Sequence, residues 1–151
     1  VVESGERVLD MFAGIGYFTL PMARSGATVT AAEIDPDSYR YLIENIELNS
    51  VSENVQAVLG DCRDVETTAD RIVMGYYDAY EYLDAALSAL TRGGVVHLHE
   101  ATPEELFPGR PIDRLRSAVD VGNRGVEILG VTRVKSHSAG VVHGVVDARV
   151  E

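Results

Sequence analysis

With 151 residues, 46% of them apolar, the chain is long enough for one domain with a buried core and too apolar for a disordered segment. Its net charge of −11, with Lys135 the one lysine among 13 basic residues, is the acidic, lysine-poor balance that a salt-rich cytoplasm favours, because screening removes most self-repulsion. A lone cysteine, Cys62, excludes an internal disulfide and a multi-cysteine zinc site, no run reaches the ~20 apolar residues of a membrane helix, and no basic-then-apolar leader opens the chain, so a cytoplasmic protein is expected.

The chain opens on Val1 rather than methionine, and strand-like sequence begins almost at once. It is expected to be the C-terminal piece of a longer protein, a single domain without its upstream one. Arg7–Phe12 reads as a buried strand, Tyr17–Ser25 as a helix with Phe18, Met22 and Ala23 at helical spacing, and Gly26 as its stop. Thr28–Glu33 is a second strand. Asp35-Pro36 opens a helix running to about Asn49: an acid that can cap, then a first-turn proline, with Tyr39, Leu42, Ile43, Ile46 and Leu48 on its apolar side. Val55–Leu59 and Arg71–Met74 are the next strands. A helix follows near Tyr80–Leu90, and Gly93-Gly94 turns the chain into a strand over Val95–His99. At the end, Gly125–Val134 and Val141–Val150, joined through His137-Ser-Ala-Gly140, predict a hairpin. Strands spaced by helices predict a Rossmann-like doubly wound α/β sheet, five parallel strands with a C-terminal antiparallel hairpin.

In such a sheet ligands bind beyond the carboxyl ends of the strands, where the strand order reverses. The first strand ends at Asp10-Met-Phe, and Ala13-Gly-Ile-Gly16 turns the chain there; Gly14 and Gly16 let the backbone approach a ligand with no Cβ in the way. A dinucleotide fingerprint would need a third glycine where Thr19 stands, which weakens a pyrophosphate cradle and a nicotinamide-dependent dehydrogenase. Glu33 ends the second strand, placed to accept both hydroxyl hydrogens of a ribose. Gly60-Asp61-Cys62-Arg63 follows the third, where an acid can accept from an adenine amino group. Three acids at three successive strand tips beside a glycine turn point to a nucleoside.

These motifs, Asp10-Met-Phe-Ala-Gly-Ile-Gly16, Glu33-Ile-Asp-Pro36 and Gly60-Asp-Cys-Arg63, resemble the class I S-adenosylmethionine-dependent transferases, and the resemblance spans essentially the whole chain. It is closest to the enzymes of guanine 37 in tRNA, a group holding guanine N1-methyltransferases and wybutosine-pathway aminocarboxypropyl transferases. Glu44-Asn-Ile-Glu-Leu-Asn49 and Val134–His143 belong to the same pattern. The resemblance implies the class I methyltransferase fold and S-adenosyl-L-methionine as cofactor. Its binding set would be Asp10, Phe12, Ala13, Gly14, Gly16, Glu33, Ile34, Asp61, Cys62, Met74 and Gly75, with Glu33 on the ribose, Asp61 and Cys62 on the adenine, and Ala13 to Gly16 along the methionine portion.

The methyltransferases carry Asn-Leu-Pro or Asn-Pro-Pro after the fourth strand; this chain has Met74-Gly75-Tyr76, which resembles the aminocarboxypropyl branch, as does His97-Leu-His-Glu100. The implied reaction moves the 3-amino-3-carboxypropyl group to the wyosine-type base at position 37 of phenylalanine tRNA; methylation of guanine 37 is the alternative, and a non-catalytic domain of the same fold is a third reading. No residue is identified as catalytic base. His97 and His99 share a strand face by alternation, but no third ligand can be placed, so no metal is expected. For the anticodon loop, Tyr76, His99, Arg133 and Lys135 are the expected contacts. Arg133, Lys135 and His137 alternate along a strand and so are expected on one face, and Arg110, Arg114 and Arg116 form a second cluster. Residues 101–151 carry 7 basic and 7 acidic groups, so a polyanion would meet the protein there rather than on the acidic first 100 residues. A monomer is expected.

Overall fold

The run Val8-Leu9 forms strand β1 (Arg7–Asp10) because alternate residues enter two different apolar layers, Val8 on one face of the sheet and Leu9 on the other. In the computed structural model, which describes residues 1–151, β1 lies inside a seven-stranded sheet. The remaining elements are α1 (Thr19–Arg24), β2 (Thr28–Glu33), α2 (Pro36–Leu48), β3 (Val55–Leu59), β4 (Ala69–Met74), α3 (Leu83–Ala89), β5 (Leu90–Pro103), α4 (Gly109–Val121), β6 (Val126–Ser138) and β7 (Val141–Val150). The strand order is β3-β2-β1-β4-β5-β7-β6. Strands β1 to β5 run parallel, and β7 joins β5 antiparallel and carries β6 on its outer edge. The order reverses between β1 and β4, which puts the glycine turn after β1 at the switch point.

Two cores result. Met22, Ala23, Leu42 and Ile46 of α1 and α2 pack on Val8, Val29, Ala31 and Val73. Leu83, Ala86, Leu115 and Val119 of α3 and α4 pack on Leu9, Ile72, Met74, Val96, Leu98 and Val146. Helix α2 starts as its sequence dictates: Pro36 takes a first-turn position and Asp35 Oδ2 accepts from the Ser38 N–H (3.1 Å). No helix is long and apolar enough to cross a membrane.

Several elements differ from the sequence reading. The first strand ends at Asp10, and Met11 and Phe12 already belong to the turn; α1 is six residues rather than nine. The stretch from residue 80 divides into a 3-10 turn (Ala79–Tyr82) and the short α3. Strand β5 extends to 14 residues because β7 pairs with it from Gly94 to Pro103. Gly93-Gly94 therefore sits inside the strand, where pairing jumps from Ala69–Leu90 to Arg71–Val95 and the intervening residues bulge. Helix α4 was not anticipated: Pro108-Gly109-Arg110-Pro111 resembles a loop, although Pro111 occupies the first turn and Leu115 and Val119 repeat at helical spacing. The β6–β7 turn tightens to Ala139-Gly140, with Gly140 at φ +72°.

Candidate functional site

The turn after β1 is built around Glu33. Its Oε1 accepts the Gly14 N–H (2.9 Å) and its Oε2 the Asp35 N–H (2.8 Å), so each oxygen is aimed by one backbone donor while keeping a lone pair for a ligand. Gly14 has φ +56° and Gly16 φ +108°, the left-handed region that glycine tolerates. A Cβ on Gly14 would meet no atom within 4 Å, so the space over the turn is open; one on Gly16 would press on Leu20 and Leu42. From α2, the Asn45 side-chain amide donates to the Ile15 carbonyl (2.8 Å) and holds the turn from beneath.

Asp10 lies under this turn rather than at its surface. It is wholly buried, its Oδ2 accepts from the Thr19 hydroxyl (2.7 Å), and its Oδ1 has no partner. Burial pushes the carboxyl up to about 6, against the Thr19 hydrogen bond. The side chain expected at the cofactor thus shapes the loop from below, and Thr19 is occupied by that task where a dinucleotide fold would have glycine. Met74 can meet a ligand only through its backbone: alternation along β4 turns its side chain into the α3–α4 core, where it is wholly buried.

Between β2 and β3, Phe12, Glu33, Ile34, Asp61, Cys62 and Tyr82 line a cleft of about 50 Å³. Glu33 and Asp61 therefore share one wall-to-wall space, with exposed Ile34 beside them. Both Asp61 oxygens already hold Arg63, at 3.0 Å from Nε and 2.6 Å from a terminal nitrogen, and this hydrogen bonding holds the carboxyl below its usual range. The same guanidinium lies 4.9 Å from the Tyr82 ring centroid, bridging the two walls. Cys62 is buried and its thiol is pushed up to about 11 by burial, which makes it a small apolar lining group rather than a nucleophile. Two carboxylates, a bare backbone turn and an apolar lining fit a nucleoside chemically, with the exposed Arg63 side chain engaging the carboxylate on one wall.

Aromatic rings continue from the cleft toward β5. Phe12 packs on Tyr82 (5.0 Å between centroids) and on half-exposed Tyr76 (5.1 Å). Phe18 lies against Gly75, where a Cβ would come within 2.9 Å of the ring, and its centroid is 5.4 Å from that of His99. His99 is buried, with Nδ1 2.9 Å from His143 Nε2. Sequence reading did not identify His143, which stands 44 residues away and is brought in by the β5–β7 pairing. His97 shares the strand face of His99 but belongs to another network, with Nδ1 2.6 Å from Asp147 and Nε2 2.7 Å from an Arg71 nitrogen.

The basic residues are distributed differently from the expectation. A bulge between Arg133 and Lys135 pairs Arg133 with Gly144 and Lys135 with His143, adjacent residues of β7 that point to opposite faces. Arg133 and Lys135 therefore part company, Arg133 to an exposed pair with Glu104 (2.7 Å). Arg110 and Arg114 converge on wholly buried Glu100, whose Oε1 accepts from both and from the Thr102 hydroxyl (3.0 Å). Their charge is turned inward onto Glu100 although both side chains keep an edge in solvent, and Arg116 is the exposed member of that cluster.

The family model described as the TRM5/TYW2 methyltransferase domain matches residues 1–129. A tRNA(Phe) (4-demethylwyosine(37)-C(7)) aminocarboxypropyltransferase of Methanocaldococcus jannaschii is 41% identical over 156 residues, covering 100% of this chain and 62% of the relative. A tRNA (guanine(37)-N(1))-methyltransferase, Trm5b, of Pyrococcus abyssi is 37% identical over 151 residues, covering 99% of this chain and 46% of the relative. The crystal structure of M. jannaschii TYW2 in complex with AdoMet superposes with a TM-score of 0.95 at 41% identity, covering 100% of this chain and 71% of that one. The chain thus spans about three-fifths or less of the length of these two curated relatives.

Proposed function

This chain belongs to the TRM5/TYW2 methyltransferase domain family, and from that premise we propose that it is the S-adenosylmethionine-binding domain of a tRNA aminocarboxypropyl transferase. The observation that carries the reading is the row of strand tips. Glu33 and Asp61 share one cleft, Gly14 leaves the space beside it open, and Met74-Gly75-Tyr76 stands at the tip of β4. Glu33 would hold the ribose hydroxyls with its free lone pairs; Asp61 would take the adenine amino group once Arg63 lifts, with Cys62 and Ile34 against the ring. S-adenosylmethionine supplies a sulfonium that activates each carbon attached to it. Which carbon is presented is set by orientation, and Gly75 and the rings of Phe18 and Tyr76 form the wall that does so. Those rings would lie beside the cationic centre and limit the access of water to it.

The acceptor would be the wyosine-type base at position 37 of phenylalanine tRNA, with Tyr76, His99 and Lys135 nearest it. This placement follows the resemblance of the Met-Gly-Tyr and His-Leu-His segments and the higher identity to the aminocarboxypropyl relative. Guanine N1 methylation is the second reading, favoured by the Pyrococcus abyssi relative and disfavoured by the lack of asparagine and proline after β4. The reading extends to a monomer in a salt-rich cytoplasm, one domain of a longer protein. The test is to give the full-length protein carboxyl-labelled and methyl-labelled S-adenosylmethionine in parallel with tRNA. Carboxyl label alone on the tRNA is expected; methyl label alone would replace this reading with methylation.

A further inference from the structure

Beyond the cofactor cleft, the tips of β5, β6 and β7 hold a cluster of rings with no part in binding a nucleoside at Glu33. The Tyr77 centroid is 4.3 Å from that of His137 and 5.1 Å from that of His143, which in turn is 5.1 Å from His99. Phe18 links His99 to Gly75 and so to the proposed transfer point. A planar base meeting this cluster from the exposed His137 would find aromatic faces to stack on and, beyond Tyr77, the His99–His143 pair.

The pair has an unusual hydrogen-bond inventory. His99 Nδ1 and His143 Nε2 share one hydrogen, and the His143 Nδ1 is sealed from solvent with no partner. His99 Nε2 has no partner within the protein either, yet it is not among the sealed atoms. With the shared hydrogen on His99 Nδ1, His99 Nε2 carries a lone pair with no partner in the protein, on a ring whose centroid is 5.4 Å from that of Phe18.

We infer that His99 is the proton acceptor of the transfer, with Nε2 as the accepting atom and His143 as the positioning residue that fixes its tautomer. This rests on the aminocarboxypropyl reading above. A ring carbon of the acceptor base forms the new carbon–carbon bond to the side-chain carbon of the sulfonium donor, and the carbon–sulfur pair leaves on sulfur. The ring carbon then bears both its hydrogen and the new substituent. Its C–H pair returns to the ring, restoring aromaticity, and the proton passes to His99 Nε2. The charge is shared across the 2.9 Å bond to His143 and is later lost to water.

The surroundings suit a base that stays uncharged until this step. Burial, then His143, then His97 hold His99 down to about 4, with Asp147 opposing, while burial, Lys135 and His137 lower His143. An imidazole so weakly basic accepts only from a strong acid, and a protonated, alkylated ring carbon is one. It leaves ordinary tRNA protons alone.

Two measurements on the full-length protein test this. Long-range proton–nitrogen NMR of the protein alone, with neither cofactor nor tRNA, should find His99 protonated at Nδ1 and bare at Nε2; a hydrogen on Nε2 overturns the proposal. In transfer of carboxyl label to precursor tRNA, His99→Asn should lose roughly 100-fold or more in rate while calorimetric affinity for S-adenosylmethionine stays within about threefold. Deuterium at the reacting ring carbon should slow that variant and not the wild type. His143→Gln, which keeps an acceptor for the His99 Nδ1–H, should lose far less than His143→Phe. Full activity in His99→Asn, or equal losses in the two His143 variants, overturns the assignment. If the wild-type protein itself delivers methyl and not carboxyl label, the transfer reading falls and this inference with it, whatever the tautomer.

Discussion

The two ends of the strand-tip row are built on opposite principles. At β2 and β3 the working groups are carboxylates, and backbone or guanidinium donors aim them: Glu33 between the Gly14 and Asp35 amides, Asp61 on Arg63. At β5 and β7 the working groups are rings, and buried His99, its imidazole held below the usual range by burial, meets His143 rather than an ion. The first end suits a ligand whose hydroxyls and amino group must be counted and oriented. The second suits a flat ligand held by its faces, where a fixed charge would cost desolvation and add no selectivity. A domain that joins one nucleoside to another has reason to keep the two modes apart.

The largest expected effect falls at the charged end. Glu33→Ala removes an acceptor of two ribose hydroxyls and frees the Gly14 turn; calorimetric affinity for S-adenosylmethionine should fall about 100-fold, since hydrogen bonds to charged groups contribute ~1.5–3 kcal/mol each. The NMR signals of His99 and His143 should stay where they are; if they move, the two ends are not independent. Next is Asp10. Its folded carboxyl sits at about 6, above the ordinary 3.8, so between those values the native state binds the proton that the unfolded state has lost. Stability from this group is therefore greatest below pH 4 and declines as pH rises to about 6. Relative to Asp10→Asn, which has no such proton, wild-type protein should lose up to about 3 kcal/mol in urea unfolding between pH 4 and 8.

Glu100→Ala probes the support of the ring end. It strands Arg110 and Arg114 over a buried gap and should cost about 2–3 kcal/mol, below the usual figure for a broken buried pair because both arginines reach solvent. Cofactor affinity should be unchanged. Arg63→Ala should tighten binding of methylthioadenosine about threefold by releasing Asp61 and the cleft mouth; weaker binding would mean that the guanidinium stacks on the ligand rather than yielding to it. Arg133→Ala, at an exposed pair with Glu104, should change stability by less than about 0.5 kcal/mol, with urea unfolding as the check.

The charged end was legible in the sequence because its parts are local. A strand, a glycine turn and an acid at the next strand tip are separated by few residues, and each announces itself by type. The ring end was not. His143 reaches His99 only through an antiparallel register, and β6 departs from simple alternation at three bulges, so counting by twos put Arg133 and Lys135 on one face. Helix α4 was obscured by Pro108 just before it and Pro111 in its first turn, and the role of its arginines by Glu100, an acid whose burial no local pattern signals. Asp10 was identified by type but not by depth, because the sequence does not show that the turn folds over it.

The interrupted edge also matters for how this molecule behaves among copies of itself. Strand β6 is the last in the sheet and shows Leu129, Val131 and Val134 to water, a combination that invites another chain to add on. Breaks after Ile128, Arg133 and Ser136 keep any stretch of its outer amides and carbonyls too short and too twisted to template an incoming strand. The irregularities that hide the register from a reader of the sequence thus also make the outer edge of β6 a poor template for strand addition by another copy.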